Sequence, residues 1–161
     1  MNNMIHIFVW VESRVTMSYS VGFSQSLEIL FYIELKTKNG EEKYLTIQQI
    51  SEKMNIPVPS VKRLIGLLKK AGFIESKKGV NGGLALTKTS RDIYVYDVFE
   101  AIEGHMALFK QYDNFEVNSL IHKSETRYML SKSKEIFEET ENAMREELKK
   151  YKLSDLFATD S

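Results

Sequence analysis

The sequence predicts a mainly α-helical fold with a small β-hairpin (α+β), arranged as a winged helix-turn-helix followed by a long C-terminal dimerisation helix. Three observations carry this prediction. Apolar residues recur at three- and four-residue steps in three successive segments between residues 23 and 71. A glycine-rich turn, Lys78-Gly-Val-Asn-Gly-Gly83, separates two short β-prone runs. From residue 125 to residue 152, apolar residues come in pairs seven apart against a background of Glu and Lys.

At the N-terminus, Ile5 to Val11 is a β-prone run, and a second Met stands at position 17. Residues 1–16 are therefore read as an extension or an over-called start. The first helix is expected from Phe23 to Lys38. Leu27, Leu30, Phe31 and Leu35 form its stripe, with Ile29, Tyr32 and Ile33 on neighbouring faces, so it should be buried on more than one side. Asn39-Gly40 breaks it. Thr46 is a good N-cap for the second helix, and Gln49 three residues on completes a capping box. Ile47, Ile50 and Met54 form its inner face, and Asn55 ends it. Pro59 suits the first turn of a third helix running to Ala71. There Val61, Leu64, Ile65 and Leu68 face inward, while Ser60, Lys62, Arg63, Lys69 and Lys70 face out. Gly72 stops it.

The hairpin strands are Phe73 to Lys77 and Leu84 to Thr87. Asp92 to Asp97 leads into a helix, Val98 to Glu103, ended by Gly104. His105 to Lys123 is weakly patterned and reads as a loop. The domain organisation expected is an extension (1–16), a winged helix-turn-helix (17–104), a linker (105–124), a dimerisation helix (125–152) and a tail (153–161) expected to fray.

Composition narrows the function. The chain has 161 residues, 43% of them apolar, enough for one domain with a core. No segment approaches the roughly 20 apolar residues of a membrane span, and Ile5 to Val11 lacks the length and preceding basic residue of a signal peptide. A cytoplasmic protein with no membrane partner is expected. There is no cysteine, which removes thiolate zinc sites, cysteine nucleophiles and ordinary iron–sulfur ligation. His6, His105 and His122 are not spaced as a metal set, so neither a metal nor a cofactor is expected. No nucleophile–base pair is evident, and Gly79 to Gly83 lacks the Lys-Ser/Thr ending of a P-loop, so an enzyme is not expected.

The zero net charge conceals an asymmetry. Residues 46–91 hold nine Lys/Arg against two Asp/Glu, a net of +7, while residues 92–161 carry nine against fifteen, a net of −6. A basic block over a helix-helix-hairpin is the electrostatic footprint of a phosphate-binding surface. The third helix would then present Ser60, Lys62 and Arg63 to the major groove, where arginine can bond guanine bidentately. Thr46 and Gln48 would meet phosphate at the start of the second helix. Lys77, Lys78, Gly79, Asn81, Gly82 and Gly83 would form the wing. The alternative is a winged-helix module that binds protein and never touches DNA; the basic face argues against it. On the long helix, Met129, Leu130, Ile136, Phe137, Ala143, Met144, Leu148 and Tyr151 form a stripe suited to a second copy of the chain.

From Leu45 to Gly83 the chain resembles the winged helix of the Rrf2 family of bacterial transcriptional regulators. The matching features are Leu68-Lys-Lys-Ala-Gly72, Ile74-Glu-Ser76, Gly79-Val-Asn-Gly-Gly83 and Asp97-Val-Phe-Glu-Ala-Ile-Glu-Gly104. The Met17 to Leu27 segment is similar to the family's usual start. The resemblance implies a homodimer on a two-fold-related DNA operator, usually a repressor, with Ser60, Lys62 and Arg63 at base-reading positions and Lys78 in the wing. Many members carry Glu-Gln where this chain has Lys62-Arg63, which implies a different base preference or phosphate contact. Several members hold an iron–sulfur cluster through cysteines after the Ile-Glu-Gly helix, whereas residues 105–123 here contain none. The resemblance thus implies a member without the cluster, answering to an effector protein or small molecule.

Overall fold

The computed structural model describes residues 20–38, 40, 42–112 and 114–157. The expected extension at 1–16, its β-prone run, Met17 and the last four residues of the tail lie outside these. Among the described residues, five α-helices and one hairpin follow in chain order: α1 (Gly22–Lys38), α2 (Ile47–Met54), α3 (Val58–Lys70), β1 (Ile74–Lys77), β2 (Gly83–Leu86), α4 (Val95–Glu103) and α5 (Lys123–Leu148).

The core forms where α1, α3 and α4 meet, with α2 and the hairpin closing its sides. Ile29, Leu30 and Ile33 of α1, Val61, Leu64 and Leu68 of α3 and Val98 of α4 are fully buried. The stripe expected on α1 is rotated. Leu35 is 42% exposed, and the fully buried line runs through Ser26, Ile29, Leu30 and Ile33. A helix whose apolar residues are spread over several faces does not reveal which side its neighbours will take, and α3, α4 and β2 chose it.

Local signals placed α2 and α3 closely. Thr46 Oγ1 accepts from Gln49 N–H, and Gln49 Oε1 accepts from Thr46 N–H at 2.7 Å, so the capping box is present. Asn55 closes α2 in the left-handed region at φ 51°, a conformation that asparagine tolerates. Pro59 sits in the first turn of α3. The strands pair antiparallel from Ile74↔Leu86 to Lys77↔Gly83. Leu45 bridges Leu84 antiparallel and adds a third, single-residue strand beside β2.

The C-terminal boundaries differ from expectation. α4 begins at Val95, three residues early, because Val95 is buried and its N–H donates to Tyr151 O at 3.0 Å. α5 ends at Leu148 instead of Lys152. Beyond it Lys152 bridges Tyr94, Leu153 N–H donates to Ile93 O at 2.8 Å, and a 3₁₀ turn spans Leu153–Phe157. Leu153 is fully buried in the main core and Phe157 stacks on Phe31 of α1 at 4.7 Å. The tail therefore does not fray as far as Phe157. A seven-residue periodicity says nothing about a later residue entering a distant core.

α5 has no buried residue over its 26 positions. It is tied to the preceding segment where Glu141 accepts from the Leu108 N–H at 2.9 Å and Leu130 O accepts from Gln111 at 2.7 Å, and within the helix Glu141 also accepts from Arg145 at 2.7 Å. The Arg145 hydrogen bond, helped by that of Leu108, holds the Glu141 carboxyl below its ordinary range.

Two outcomes follow. Leu153→Ala should lower unfolding stability by about 2–5 kcal/mol in urea denaturation, as for a core leucine, whereas a frayed tail would lose almost nothing. Because its folded-state pKa is depressed, Glu141 stabilises the fold fully above the usual glutamate range, and that contribution disappears as pH falls through the lower folded value. Urea midpoints followed from neutral to acid pH should thus fall less steeply for Glu141→Gln than for the parent chain.

Candidate nucleic-acid interface

The interface is built outward from α3. Burial of Val61, Leu64, Ile65 and Leu68 leaves Lys62, Arg63, Lys69 and Lys70 exposed, with Ser60 half-buried at the helix start. Arg63 also leans on α1. The space a side chain at Gly22 would fill lies 3.2 Å from the Arg63 guanidinium and 2.9 Å from Ser20 Oγ. Ser20 in turn donates to Glu103 of α4 at 2.8 Å. Gly22 thus holds open the place where the arginine rests. Sequence reasoning missed this residue, since an isolated glycine at a helix start carries no spacing signal.

At the start of α2, the Thr46 hydroxyl and N–H are both engaged by Gln49. Thr46 shapes the end of the helix and has little left to offer a phosphate. The N–H groups of Ile47 and Gln48, which lack intrahelical acceptors, are the donors of that first turn. The Gln48 side chain is exposed and bonds Glu52 at 2.7 Å. The Leu45–Leu84 bridge brings this end of α2 to the base of the wing.

The wing depends on two close backbone approaches. A Cβ on Gly82 would stand 2.1 Å from Lys77 O, and one on Gly83 2.8 Å from Leu45 O. Any side chain at these positions forces the turn apart. Gly82 N–H donates to Gly79 O at 3.0 Å, and Gly79 has φ 114°. The turn exposes Lys77, Lys78, Gly79, Val80 and Asn81, Val80 without any cover. Lys77 Nζ lies 5.5 Å from the Tyr44 ring centre, and Lys69 of α3 donates to Ser76 of β1 at 2.7 Å, which ties wing to helix. An exposed basic helix beside a tight basic hairpin, both backed by one apolar core, is equipped to meet a polyanion along a groove and its flanking phosphates.

A family model for Rrf2, described as an iron-dependent transcriptional regulator, matches residues 19–159. The chain belongs to the Rrf2 family. YwgB of Bacillus subtilis and YffB of Lactococcus lactis are 32% and 31% identical over 94 residues, and the chain spans 58% of the length of each. The HTH-type transcriptional regulator NsrR of Halalkalibacterium halodurans is 29% identical over 135 residues, 84% of this chain and 86% of that one. Among solved structures, T. potens IscR superposes with TM-score 0.62 at 24% identity, covering 87% of this chain and 85% of that one. CymR of B. subtilis, the global cysteine regulator, gives TM-score 0.62 at 21% identity over 86% and 95%. These likenesses establish the winged-helix fold.

Iron is part of the family description, and the residues of this chain do not fit it. The sequence has no cysteine. Among the described residues no group of three or more His, Asp or Glu could hold a metal ion. The histidines flanking the segment after α4 face single glutamates instead: His105 Nδ1 is 3.3 Å from Glu100, and His122 Nδ1 is 3.6 Å from Glu125. Also among the described residues, no helix is long and apolar enough to cross a membrane.

The wing geometry yields a direct test. Gly82→Ala should destabilise the chain by about 1–3 kcal/mol and shift the amide signals of residues 76–84 in NMR spectra, because Lys77 O cannot move without breaking the hairpin. Val80→Ala, at the open tip, should change neither.

Proposed function

We propose that this chain is a sequence-specific DNA-binding transcription regulator that works as a homodimeric repressor without an iron–sulfur cluster. The carrying observation is the two-sidedness of α3: one face supplies four core residues, while the other exposes Lys62 and Arg63 beside a hairpin exposing Lys77 and Lys78. Ser60, Lys62 and Arg63 read base edges in the major groove. Lys77, Lys78 and the backbone from Gly79 through Asn81 to Gly83 follow the adjacent phosphates, and Gln48 anchors the start of α2. Neither DNA nor dimer requires a membrane or an active site, and the cytoplasm is the compartment in which such a regulator meets its operator.

The dimer is supported by α5. Each heptad pair divides. Leu130, Phe137 and Met144, with Leu148, are half-buried, and Phe137 stacks on Phe109 at 5.3 Å. Met129, Ile136 and Ala143 remain exposed, Met129 at 47% and Ile136 at 49%. A helix of 26 residues, about 39 Å long, gains little stability from the few contacts α5 makes with its own chain. A second α5 covers the exposed line and places two α3 helices on one operator. Tyr151, past the end of α5, is 47% exposed and its hydroxyl donates to Glu147 at 3.2 Å.

Two measurements test this reading. In fluorescence anisotropy with the operator found upstream of its gene, affinity should fall steeply with salt as counterions are displaced. Lys78→Ala should weaken all sequences alike and reduce the salt slope by about 1, while Arg63→Ala should also cost ~1–3 kcal/mol of discrimination. Absence of binding to any DNA at low salt would turn the reading toward a protein-binding winged helix. In sedimentation, the chain should run as a dimer and Ile136→Asp as a monomer whose winged-helix core stays folded; a parent chain monomeric at micromolar concentration would sink the dimer.

A further inference from the structure

A cleft of about 980 Å³ lies on the molecule between the C-terminal half of α1, the chain leaving β2 and the last 3₁₀ turn. Its lining includes Glu34, Lys38, Lys88, Ser90, Arg91 and Phe157. None of these belongs to the DNA-facing surface or to the exposed line of α5.

The charges are sorted by depth. In the wall stands the half-buried Glu34 carboxylate. Its Oε1 accepts from the buried Ser90 hydroxyl at 2.7 Å. Its Oε2 is shielded from solvent, and no protein group among the described residues donates to it. The Ser90 hydroxyl uses one carboxylate oxygen, and the second keeps its acceptor capacity without a protein donor among the described residues. Around the mouth, Lys38, Lys88 and Arg91 are exposed and appear in no ion pair among the described residues, while the one acid of the rim, Asp92, accepts from Thr89 at 2.9 Å. A recessed acceptor beneath a cationic rim complements a molecule with a cation at one end and an anion at the other. Phe157, stacked on Phe31, supplies an apolar side to the space between.

We infer that this cleft binds a small molecule that joins a protonated amine to a carboxylate or phosphate. The amine pairs with the Glu34 carboxylate, a small turn of which uncovers Oε2, and the anionic group meets Lys38, Lys88 and Arg91. The lining continues directly from β2 through Leu86 and Thr87, so an occupant touches the strand that carries the wing. The binding site stands on its own. Its use as an effector site rests on the DNA-binding reading above.

The test is an amide NMR titration of the full chain with the standard α-amino acids and O-phosphoethanolamine, using n-butylamine and propionate as single-charge controls. A zwitterion should shift the signals of Thr37, Ser90 and Arg91 saturably, and each control should bind about tenfold or more weakly, since it loses one charged hydrogen bond. Preference for amino acids assigns the anionic group as carboxylate; preference for O-phosphoethanolamine assigns phosphate. Glu34→Gln should weaken the zwitterion by a similar factor. Should that variant unfold, the exposed Arg91→Ser decides in its place by weakening the same ligand. Failure of every zwitterion to give a saturable shift in the cleft, or equal binding by parent and folded variants, overturns the proposal. DNA affinity measured on the same samples separates the two readings: ligand binding without DNA binding removes the regulator and leaves the site.

Discussion

The seating of α3 on α1 is the constraint on which the rest of the molecule depends. Val61, Leu64, Ile65 and Leu68 occupy one side of a helix with 3.6 residues per turn, and all four are buried. Burying each contributes about 1.5–3 kcal/mol. Rolling α3 by a third of a turn would expose part of that set and push Lys62 or Arg63 toward the core, where an unpaired charge costs several kcal/mol. Both effects act in the same direction, so the outward face of α3 is settled by its inward face. Its basic residues need no interaction of their own to be presented.

The other parts of the interface are placed by attachment to that unit. Leu45 serves twice, as a buried core residue and as the rung that joins the start of α2 to β2. Gly82 and Gly83 let the hairpin fold back on Lys77 and Leu45 at distances no side chain permits. Lys69 links α3 to β1. The wing is consequently held at both strands, and what remains free is its tip. Such an arrangement suits a reader that must match a groove, because little ordering is left to occur on contact.

The C-terminal part follows a different logic. α5 takes its stability from surfaces it shares, and the half of its apolar line facing its own chain is covered by Phe109 and the Glu141 tie to Leu108. After α5 the chain returns to the main core through Leu153 and Phe157. Both ends of the 95–153 segment are therefore anchored at one place, where Val95 bonds Tyr151 and Leu153 bonds Ile93. The cleft beside Glu34 lies at this closure, between the returning chain and the base of the wing, so a single occupant could sense both.

The sequence by itself determined everything that depends on near neighbours. The capping box at Thr46 and Gln49, the stop at Asn55, Pro59 in the first turn of α3 and the glycine turn of the wing all act within a few residues, and each is where the pattern put it. The inner face of α3 was legible because its outer face is charged. What only the tertiary structure decided depends on contacts far apart in the chain. The side of α1 that is buried could not be read, since apolar residues lie on several of its faces. The early start of α4 and the docking of Leu153 follow from hydrogen bonds across more than fifty residues, which leave no periodic trace. Gly22 beside Arg63 and Glu34 beside Ser90 are of the same kind: each is an unremarkable residue in sequence, and acquires its role from the group that folding brings next to it.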